Sequence, residues 1–230
     1  MRKIWNDLLN LFYPRLCLVC GTPLLEGEEF LCLSCLADLP YTYIKDINQN
    51  SLTRKENISS IFEHAYAYLI FKKNYSSRLL VHEFKFHGNK ELAFYLGQLA
   101  ATEVLRHHLF TEIEAFVPTP LYYKRKRQRG YNQAEWICKG MASVWKLPIE
   151  TQLIFRNRYT PPQAKQHNRE ARQKNLKEAF SLINPTRYKG KHLLLVDDVI
   201  TTGATCCTCG SCLQAIPDVH LSVFSISMAY

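Results

Sequence analysis

Two adjacent acids, Asp197 and Asp198, directly follow a run of apolar residues in the last quarter of the chain. The segment after them is rich in hydroxyls and comprises Thr201, Thr202, Gly203, Ala204 and Thr205. Carboxylates can accept hydrogen bonds from the vicinal hydroxyls of a ribose, or help to hold a divalent metal. Threonine hydroxyls beside the free N–H groups of a helix N-terminus form an anion site. The combination indicates a site for a sugar phosphate.

The apolar run, residues 193–196, shows no alternation, which is typical of a parallel strand covered on both faces. Ligands of open α/β sheets bind at the carboxyl ends of the strands, so we predict a strand, a sharp loop and a helix here. Gly203 permits a positive φ and a close approach of ligand to backbone. The segment is not a P-loop, because it lacks the Gly-x-x-x-x-Gly-Lys pattern. A core strand with an acidic turn would explain the leucines but not the order of acids, threonines and glycine.

A second strand, loop and helix unit is predicted from residue 115 onward, where a short apolar strand leads into Thr119 and Pro120. A basic run follows and consists of Lys124, Arg125, Lys126, Arg127 and Arg129. One guanidinium group can bind two oxygens of a phosphate at once. We place this run on a loop at the sheet edge, which favours contact with pyrophosphate or nucleic acid over a merely solvated face. Lys85, in an amphipathic segment, is a further cation that could face a cleft.

Four cysteines near the N-terminus form two C-x-x-C pairs, Cys17 with Cys20 and Cys32 with Cys35. Each pair spans one tight knuckle, and four thiolates make a closed tetrahedral site. We therefore predict a structural Zn²⁺ ion rather than a catalytic one. Four buried free cysteines or a redox pair is the alternative, and the spacing does not say what the module binds.

A second cysteine pattern lies just after the hydroxyl-rich segment and consists of Cys206, Cys209 and Cys212. This C-x-x-C-x-x-C spacing also occurs in iron–sulfur proteins, but no fourth cysteine followed by proline is present. We interpret these cysteines as the apolar face of a helix that packs on the sheet.

The length of 230 residues suits one α/β domain with a small appendage. We divide the chain into an N-terminal helix and zinc module (1–44), a polar linker or exposed loop (45–60) and the main domain (61–230). The sequence contains no membrane span, and its N-terminus lacks the unbroken apolar core of a signal peptide. We therefore expect a cytoplasmic protein with reduced thiols. Nine cysteines, an odd number, fit metal ligands and core thiols better than a disulfide framework. The formal charge of +9 permits nucleic acid or phosphorylated ligands without specifying either.

These segments together resemble the ComF family of bacterial proteins, also called competence protein F or GntX-like. The family joins an N-terminal zinc-binding segment to a type I phosphoribosyltransferase-like domain, an α/β fold with a parallel sheet flanked by helices. The resemblance covers nearly the whole chain. It rests on the four N-terminal cysteines and on the segments VPTPL, RGYNQAE, RNRYTPPQ and VDDVITTGAT.

The resemblance implies a site for phosphoribosyl pyrophosphate (PRPP), with Mg²⁺ as its companion ion. Asp197 and Asp198 match the acids that face the ribose hydroxyls, and they are the candidate catalytic residues. Residues 201–205 match the 5′-phosphate loop, and Thr119 and Pro120 match the pyrophosphate loop. Part of a flexible lid is matched by Tyr159, Thr160 and Gln163.

The resemblance also implies a role in natural competence, in the uptake or handling of single-stranded DNA alongside other competence proteins. Tyr122, Tyr123 and Tyr131 stand beside the basic run, a mixture that suits single-strand binding. Two alternatives stay open: an active, Mg²⁺-dependent phosphoribosyltransferase with an unidentified nitrogen base as acceptor, and a nucleotide-sensing regulator. Purine-salvage members of the transferase family place an acid where Thr201 stands, whereas orotate-type members also have threonine.

Overall fold

The computed structural model describes residues 14–73, 75–157 and 180–229. Helices and strands are interspersed along this part of the chain. In chain order they are α1 (Leu33–Ala37), α2 (Glu56–Ser59), β1 (His64–Ile70), α3 (Ser76–Phe86), α4 (Lys90–Arg106), β2 (Ala115–Pro118), α5 (Tyr123–Arg129), α6 (Gln133–Trp145), β3 (Ile154–Arg156), β4 (Phe180–Leu182), β5 (His192–Ile200), α7 (Ala204–Leu213) and β6 (His220–Met228). A short 3-10 helix, Pro185–Tyr188, precedes β5.

Four of these strands form one parallel sheet in the order β1, β6, β5, β2. The register pairs Val196 of β5 with Phe224 of β6 on one side and with Pro118 of β2 on the other. Parallel neighbours need crossover connections, and the helices lie within them. Strands β3 and β4 form a separate antiparallel pair. The predicted α/β class with a parallel sheet is confirmed.

Both faces of the sheet are covered, which accounts for the unbroken apolar run of β5. Leu194 and Val196 belong to the core formed with α3, α4 and α6. Leu193 and Leu195 belong to the opposite core, formed with α7. All four side chains are fully buried, and each such burial typically stabilises a fold by about 1.5–3 kcal/mol. Successive side chains of β5 therefore pack alternately against the helices on the two faces of the sheet.

The N-terminal cysteine module packs against α4. The rings of Phe30 and Tyr95 lie 5.4 Å apart between their centroids. Cys17 and Leu31 are each 2% exposed and belong to the same core as α4. The chain that leaves the module then runs beside β1, where the backbone N–H of Ile70 donates to the carbonyl of Pro40 at 2.7 Å. The module is thus part of the main core rather than a separate lobe.

Two segments differ from their predicted form. The basic run predicted as a loop forms helix α5 instead, since lysine and arginine are good helix formers. The polar segment 45–60 contains helix α2, and two of its three apolar residues, Leu52 and Ile58, are fully buried against the core beside α7. Asn50 fastens this segment to β1 by donating from Nδ2 to the carbonyl of Ala65 at 2.9 Å.

Some predictions fall on residues outside the described part of the chain. They include the N-terminal amphipathic helix before residue 14 and the lid residues Tyr159, Thr160 and Gln163. Within the described ranges, the longest helix, α4, has 17 residues, and none of the helices has the length and apolar character needed to span a membrane.

Candidate functional site

The two acids lie at the carboxyl edge of the sheet, as predicted. Strand β5 continues through Asp197 and Asp198 to Ile200, so the acids lie within the strand rather than just after it. The neighbouring strand β2 ends at Pro118, and the N–H of Thr119 donates to the carbonyl of Val196 at 2.8 Å. This bond brings the residue after β2 beside the acids of β5.

Lys85 supplies a cation to this edge. Its Nζ lies 2.8 Å from Oδ1 of Asp198, and both side chains are less than one-fifth exposed. Lys85 belongs to the last turn of α3, and the hydroxyl of Tyr131 donates to the carbonyl of the preceding Phe84. This second bond ties the end of α3 to the chain segment before α6. The end of α3, which carries Lys85, is therefore held by a contact with the segment between α5 and α6.

The carboxyl of Asp197 has a raised pKa. Burial raises the pKa of Asp197 to about 7, and the adjacent charge of Asp198 adds to the rise. The charges of Lys85 and Arg156 act in the opposite direction, as does the backbone N–H of Asp198, which donates to Asp197 Oδ1 at 2.9 Å. One carboxyl of the pair can therefore exchange a proton near neutral pH.

The hydroxyl-rich segment forms the turn that joins β5 to α7. Gly203 has a φ of 82°, a left-handed conformation that glycine adopts without strain, and α7 begins at Ala204. Thr201, Thr202 and Thr205 are exposed, and the turn borders a small cavity of about 50 Å³. Asn57 steadies the turn by donating from Nδ2 to the carbonyl of Thr202 at 3.1 Å. The geometry presents hydroxyls and the first N–H groups of a ten-residue helix to an anion.

A larger cavity of about 480 Å³ opens beside the acids. Its lining includes both acids, Thr201 and Thr205 of the turn, and Thr119 and Pro120 after β2. Among the basic residues, Arg125 and Arg129 line the cavity, whereas Lys124, Lys126 and Arg127 are exposed and lie elsewhere on α5. Lys126 faces Glu135 of α6 at 3.8 Å. The structure thus brings the acids, the turn and two of the five predicted cations to one opening.

Two buried side-chain atoms in this cavity have no hydrogen-bond partner among the described residues. Thr119 Oγ1 and Gln133 Nε2 are both buried, and none of the described residues offers either of them a partner. Gln133 is 1% exposed, and its carbonyl oxygen accepts from Arg129 at 3.1 Å. An unpaired buried donor costs about 1–3 kcal/mol, so such groups favour a polar ligand in this cavity.

Sequence reasoning missed Gln133, Asn132 and Arg78 as lining residues of this cavity. Asn132 caps α6 by accepting from the N–H of Ala134 and also donates to the carbonyl of Thr119 at 3.0 Å. The segment Gly130 to Gln133 carries a signal for this arrangement, because an asparagine before a helix typically caps it. Nothing local to Arg78 indicates that α3 would turn it toward β2.

The four N-terminal cysteines come together, as predicted. Their Sγ atoms all lie within 4.8 Å of one another, and those of Cys20 and Cys32 are 3.7 Å apart. Zinc–sulfur bonds of about 2.3 Å place tetrahedral sulfurs about 3.8 Å apart, so the arrangement fits a metal ion such as zinc. Hydrogen bonds from Thr22 lower the pKa of Cys20 to about 6, which favours the thiolate that a metal requires.

The cysteines of α7 behave as core residues. Cys206 and Cys209 are at most 1% exposed and pack in the core beside β5. Within the described ranges, the N-terminal four are the one group of three or more His, Cys, Asp and Glu side chains placed closely enough to share a metal ion. The interpretation of the second cysteine pattern as packing agrees with this geometry.

Curated relatives of the chain carry names that refer to DNA and to competence. The DNA utilization protein YhgH of Salmonella typhi is 39% identical over 132 residues, which cover 55% of this chain and 56% of that protein. The chain therefore matches about half of the length of the YhgH proteins. Competence protein ComFC of Bacillus subtilis is 28% identical over 203 residues, covering 86% of this chain and 71% of that protein.

Solved structures match more distantly, and no model of a protein family matches the chain. A glutamine PRPP amidotransferase from B. subtilis, complexed with ADP and GMP, is 18% identical with a TM-score of 0.42. The match covers 62% of this chain and 30% of that one. An adenine phosphoribosyltransferase is 13% identical with a TM-score of 0.38, over 63% of this chain and 72% of that one.

Competence protein F of Haemophilus influenzae is 32% identical over 156 residues, which cover 66% of this chain and 67% of that protein. On this likeness, the chain belongs to the competence protein F family.

Proposed function

We propose that this chain binds PRPP, or the phosphoribosyl part of a nucleotide, at the carboxyl edge of its sheet and handles single-stranded DNA during natural competence in the cytoplasm. The observation that carries the first part is the meeting of Asp197, Asp198 and the turn at residues 201–205 around one opening. The carboxylates and the anion-binding turn are adjacent in the chain and lie at the same edge of the sheet.

Each part of the ligand has a matching group. The carboxylates of Asp197 and Asp198 would accept hydrogen bonds from the two ribose hydroxyls, and the turn would hold the 5′-phosphate. The pyrophosphate would lie toward Thr119 and Pro120, where Arg125 and Arg129 add positive charge. Mg²⁺ would accompany PRPP, because carboxylate and phosphate oxygens are the ligands that this ion prefers.

Calorimetric titration with PRPP and Mg²⁺ tests the site directly. We expect the unchanged protein to bind with a stoichiometry of about one, because a single turn of this kind serves one phosphate. The double variant Asp197→Asn/Asp198→Asn should lose the binding heat while retaining its thermal transition. The matched control is Asp218→Asn, at an exposed acid just before the amino end of β6, whereas the proposed site lies at the carboxyl ends of the strands. Absence of binding by the unchanged protein would refute the proposed site.

The DNA role is supported by the printed names of the relatives and by the charge of α5. Lys124, Lys126 and Arg127 are exposed on this helix, beside the exposed ring of Tyr123. Single strands bind to surfaces that combine backbone-directed charge with aromatic rings. The proposed DNA surface therefore borders the PRPP site without coinciding with it.

Replacing Lys124, Lys126 and Arg127 together with alanine tests this surface. We expect weaker binding of a single-stranded oligonucleotide and a shallower dependence on salt, by about 0.7 in the log–log slope for each lost phosphate contact. Arg125 is left in place because it lines the PRPP cavity. The same variant should bind PRPP normally. Unchanged DNA affinity and slope would contradict the role assigned to α5.

A second candidate function is transfer of the phosphoribosyl group to a nitrogen base. The unpaired amide of Gln133 in the 480 Å³ cavity favours it, because an acceptor with carbonyl groups could take that hydrogen bond. Asp197, with a pKa of about 7, could accept the proton that the nitrogen releases. Pyrophosphate release from PRPP, measured with a panel of purine and pyrimidine bases, tests this reaction. Release that persists in Asp197→Asn would remove Asp197 from the role of base.

A further inference from the structure

A second cavity lies between the cysteine module and the end of α4. Its volume is about 370 Å³, within the usual range for small-ligand pockets. The lining includes four tyrosines, Tyr41, Tyr43, Tyr66 and Tyr68. Among the described residues, none lines both this cavity and the one beside the acids. We call it the tyrosine pocket.

The pocket is built where the chain leaving the module pairs with β1. The N–H of Thr42 donates to the carbonyl of Tyr68 at 3.1 Å, and the hydroxyl of Tyr41 donates to the carbonyl of Leu36 in α1 at 2.7 Å. The rings of Tyr41 and Tyr68 meet edge to face with centroids 5.2 Å apart. These bonds fix two rings in the wall of the pocket.

Tyr43 extends the wall into solvent. Its ring is 76% exposed and lies 5.9 Å from that of Tyr41. Its φ of 52° is unusual for a bulky residue, and such a conformation costs about 1 kcal/mol or more. A large aromatic ring that is solvent-exposed on a strained backbone indicates that the ring contacts another molecule.

Charged groups surround the aromatic wall. Lys45, Arg106 and His107 are exposed at the rim. Glu103 also lines the pocket, where it accepts from Arg106 at 3.2 Å and from His107 at 2.9 Å. Aromatic faces suit a flat ring, a carboxylate suits the amino or ring N–H groups of that ring, and rim cations suit phosphates.

We propose that the tyrosine pocket holds a base of single-stranded DNA, with Lys45 and Arg106 meeting the adjoining phosphates. Tyrosine walls are uncharged near neutral pH and do not repel the strand, and burial raises the pKa values of Tyr41 and Tyr68 further. This inference rests on the DNA role proposed above, but it assigns that role a second contact, because no residue of α5 lines the tyrosine pocket. A DNA strand bound at both α5 and the tyrosine pocket would cross the protein rather than end at the PRPP site.

Binding of labelled single strands of about sixteen nucleotides tests the pocket, with an otherwise identical abasic strand as comparison. Tyr43→Asn removes the ring while keeping a residue that tolerates positive φ. We expect it to weaken binding of the intact strand by at least about five-fold, since stacking of one base typically contributes a factor of about 5 to 150. Binding of the abasic strand should not change. Tyr43→Phe should retain most of the affinity, and Tyr75→Asn, at an exposed tyrosine outside the pocket, is the matched control.

Photo-crosslinking locates the contact independently of affinity. A strand carrying bromodeoxyuridine should crosslink to Tyr43 or Tyr41, as identified by mass spectrometry of the peptides. Crosslinks confined to residues 122–131 would overturn the inference, as would equal affinities of the unchanged protein and Tyr43→Asn. Competition by deoxyadenosine monophosphate distinguishes a free nucleotide from a strand. Tyr43-dependent binding of the mononucleotide without binding of the strand would also overturn it.

PRPP titration of the same variants separates the two proposals. Tyr43→Asn should bind PRPP like the unchanged protein, because its ring lies outside the cavity beside the acids. If strands bind but Tyr43 does not matter, the tyrosine pocket fails and the DNA role stands. If no strand binds, the DNA role itself fails, whatever the outcome with PRPP.

Discussion

The ammonium group of Lys85 lies 2.8 Å from a carboxylate oxygen of Asp198, and its charge also lowers the pKa of the neighbouring Asp197. Lys85→Met removes that charge but keeps a flexible apolar stem. We therefore expect the pKa of Asp197 to rise above its value of about 7. Carbon-13 NMR titration of the aspartate carboxyls measures it. Lys139→Met, on the exposed face of α6, is the control, and an equal change in pKa there would contradict a specific effect of Lys85.

Asp197 should make the stability of the protein depend on pH in a particular direction. Its pKa is raised from the ordinary value of about 4 to about 7, so between these values the folded state holds a proton that the unfolded state has released. The free energy of unfolding must then fall as pH rises through this window. A difference of one between the folded and unfolded pKa values corresponds to about 1.4 kcal/mol, and water in the cavity reduces this contribution.

The variant Asp197→Asn lacks this penalty. We expect it to match the unchanged protein near pH 4 and to be more stable by about 1–2 kcal/mol at pH 8. Denaturant unfolding at a series of pH values measures the difference, with Asp218→Asn as an exposed control. A difference that is constant across the pH range would show that the titration of Asp197 is not its source.

Replacing Thr119 should change PRPP affinity without lowering the stability of the protein. Its hydroxyl is buried, and none of the described residues pairs with it. Thr119→Val keeps the shape and removes the unpaired group, so the free energy of unfolding should stay the same or rise by about 1 kcal/mol. PRPP affinity should nevertheless fall by about ten-fold or more, because hydrogen bonds to charged groups contribute about 1.5–3 kcal/mol. Thr186→Val, at an exposed position, should change neither quantity, and a loss of stability without loss of affinity in Thr119→Val would contradict a ligand role.

Local patterns were enough to predict the sheet edge. The apolar run before Asp197 required a strand covered on both faces, and the glycine at 203 required a turn, because each property depends on a few neighbouring residues. The same holds for the C-x-x-C pairs. These features encode their own geometry, so the acids lie beside the turn, and the four cysteines lie beside one another, as expected.

Features that depend on distant contacts were not predictable. Leu52 and Ile58 are buried only because residues 45–60 pack beside α7, and a few apolar residues in a polar segment carry no periodic signal. Gln133 lines the cavity because the start of α6 lies beside the end of β2. The tyrosine pocket requires the chain after the module to pair with β1, as in the bridge between Tyr41 and Leu69, which are 28 residues apart in the sequence.

The cysteine module should stabilise the whole chain. Cys17 and Leu31 belong to the core that contains α4, so removal of a bound metal should loosen this core as well as the module. We expect about one zinc per chain by elemental analysis, and a chelator should lower the melting temperature of the main transition. Cys32→Ser should reproduce this effect, whereas Cys138→Ser should not release metal, since Cys138 lies within α6. A chelator that leaves the main transition unchanged would contradict a stabilising role.

Gly203 combines a left-handed backbone with a crowded site, and these two effects can be separated. An added Cβ there would lie 3.1 Å from Asn57 Nδ2 and 3.3 Å from Ile58 Cδ1, whereas at Gly190, with a φ of 67°, it would meet no heavy atom of the described residues within 4 Å. Gly190→Ala should therefore lower the free energy of unfolding by about 1 kcal/mol from strain alone. Gly203→Ala should lower it by about 2 kcal/mol or more, because the contact with α2 adds to the strain. It should also weaken PRPP binding, since the turn would move relative to Asp197, while Gly190→Ala should bind normally. Equal losses of stability in the two variants would mean that the backbone conformation, and not the packing of α2 against the turn, determines the effect.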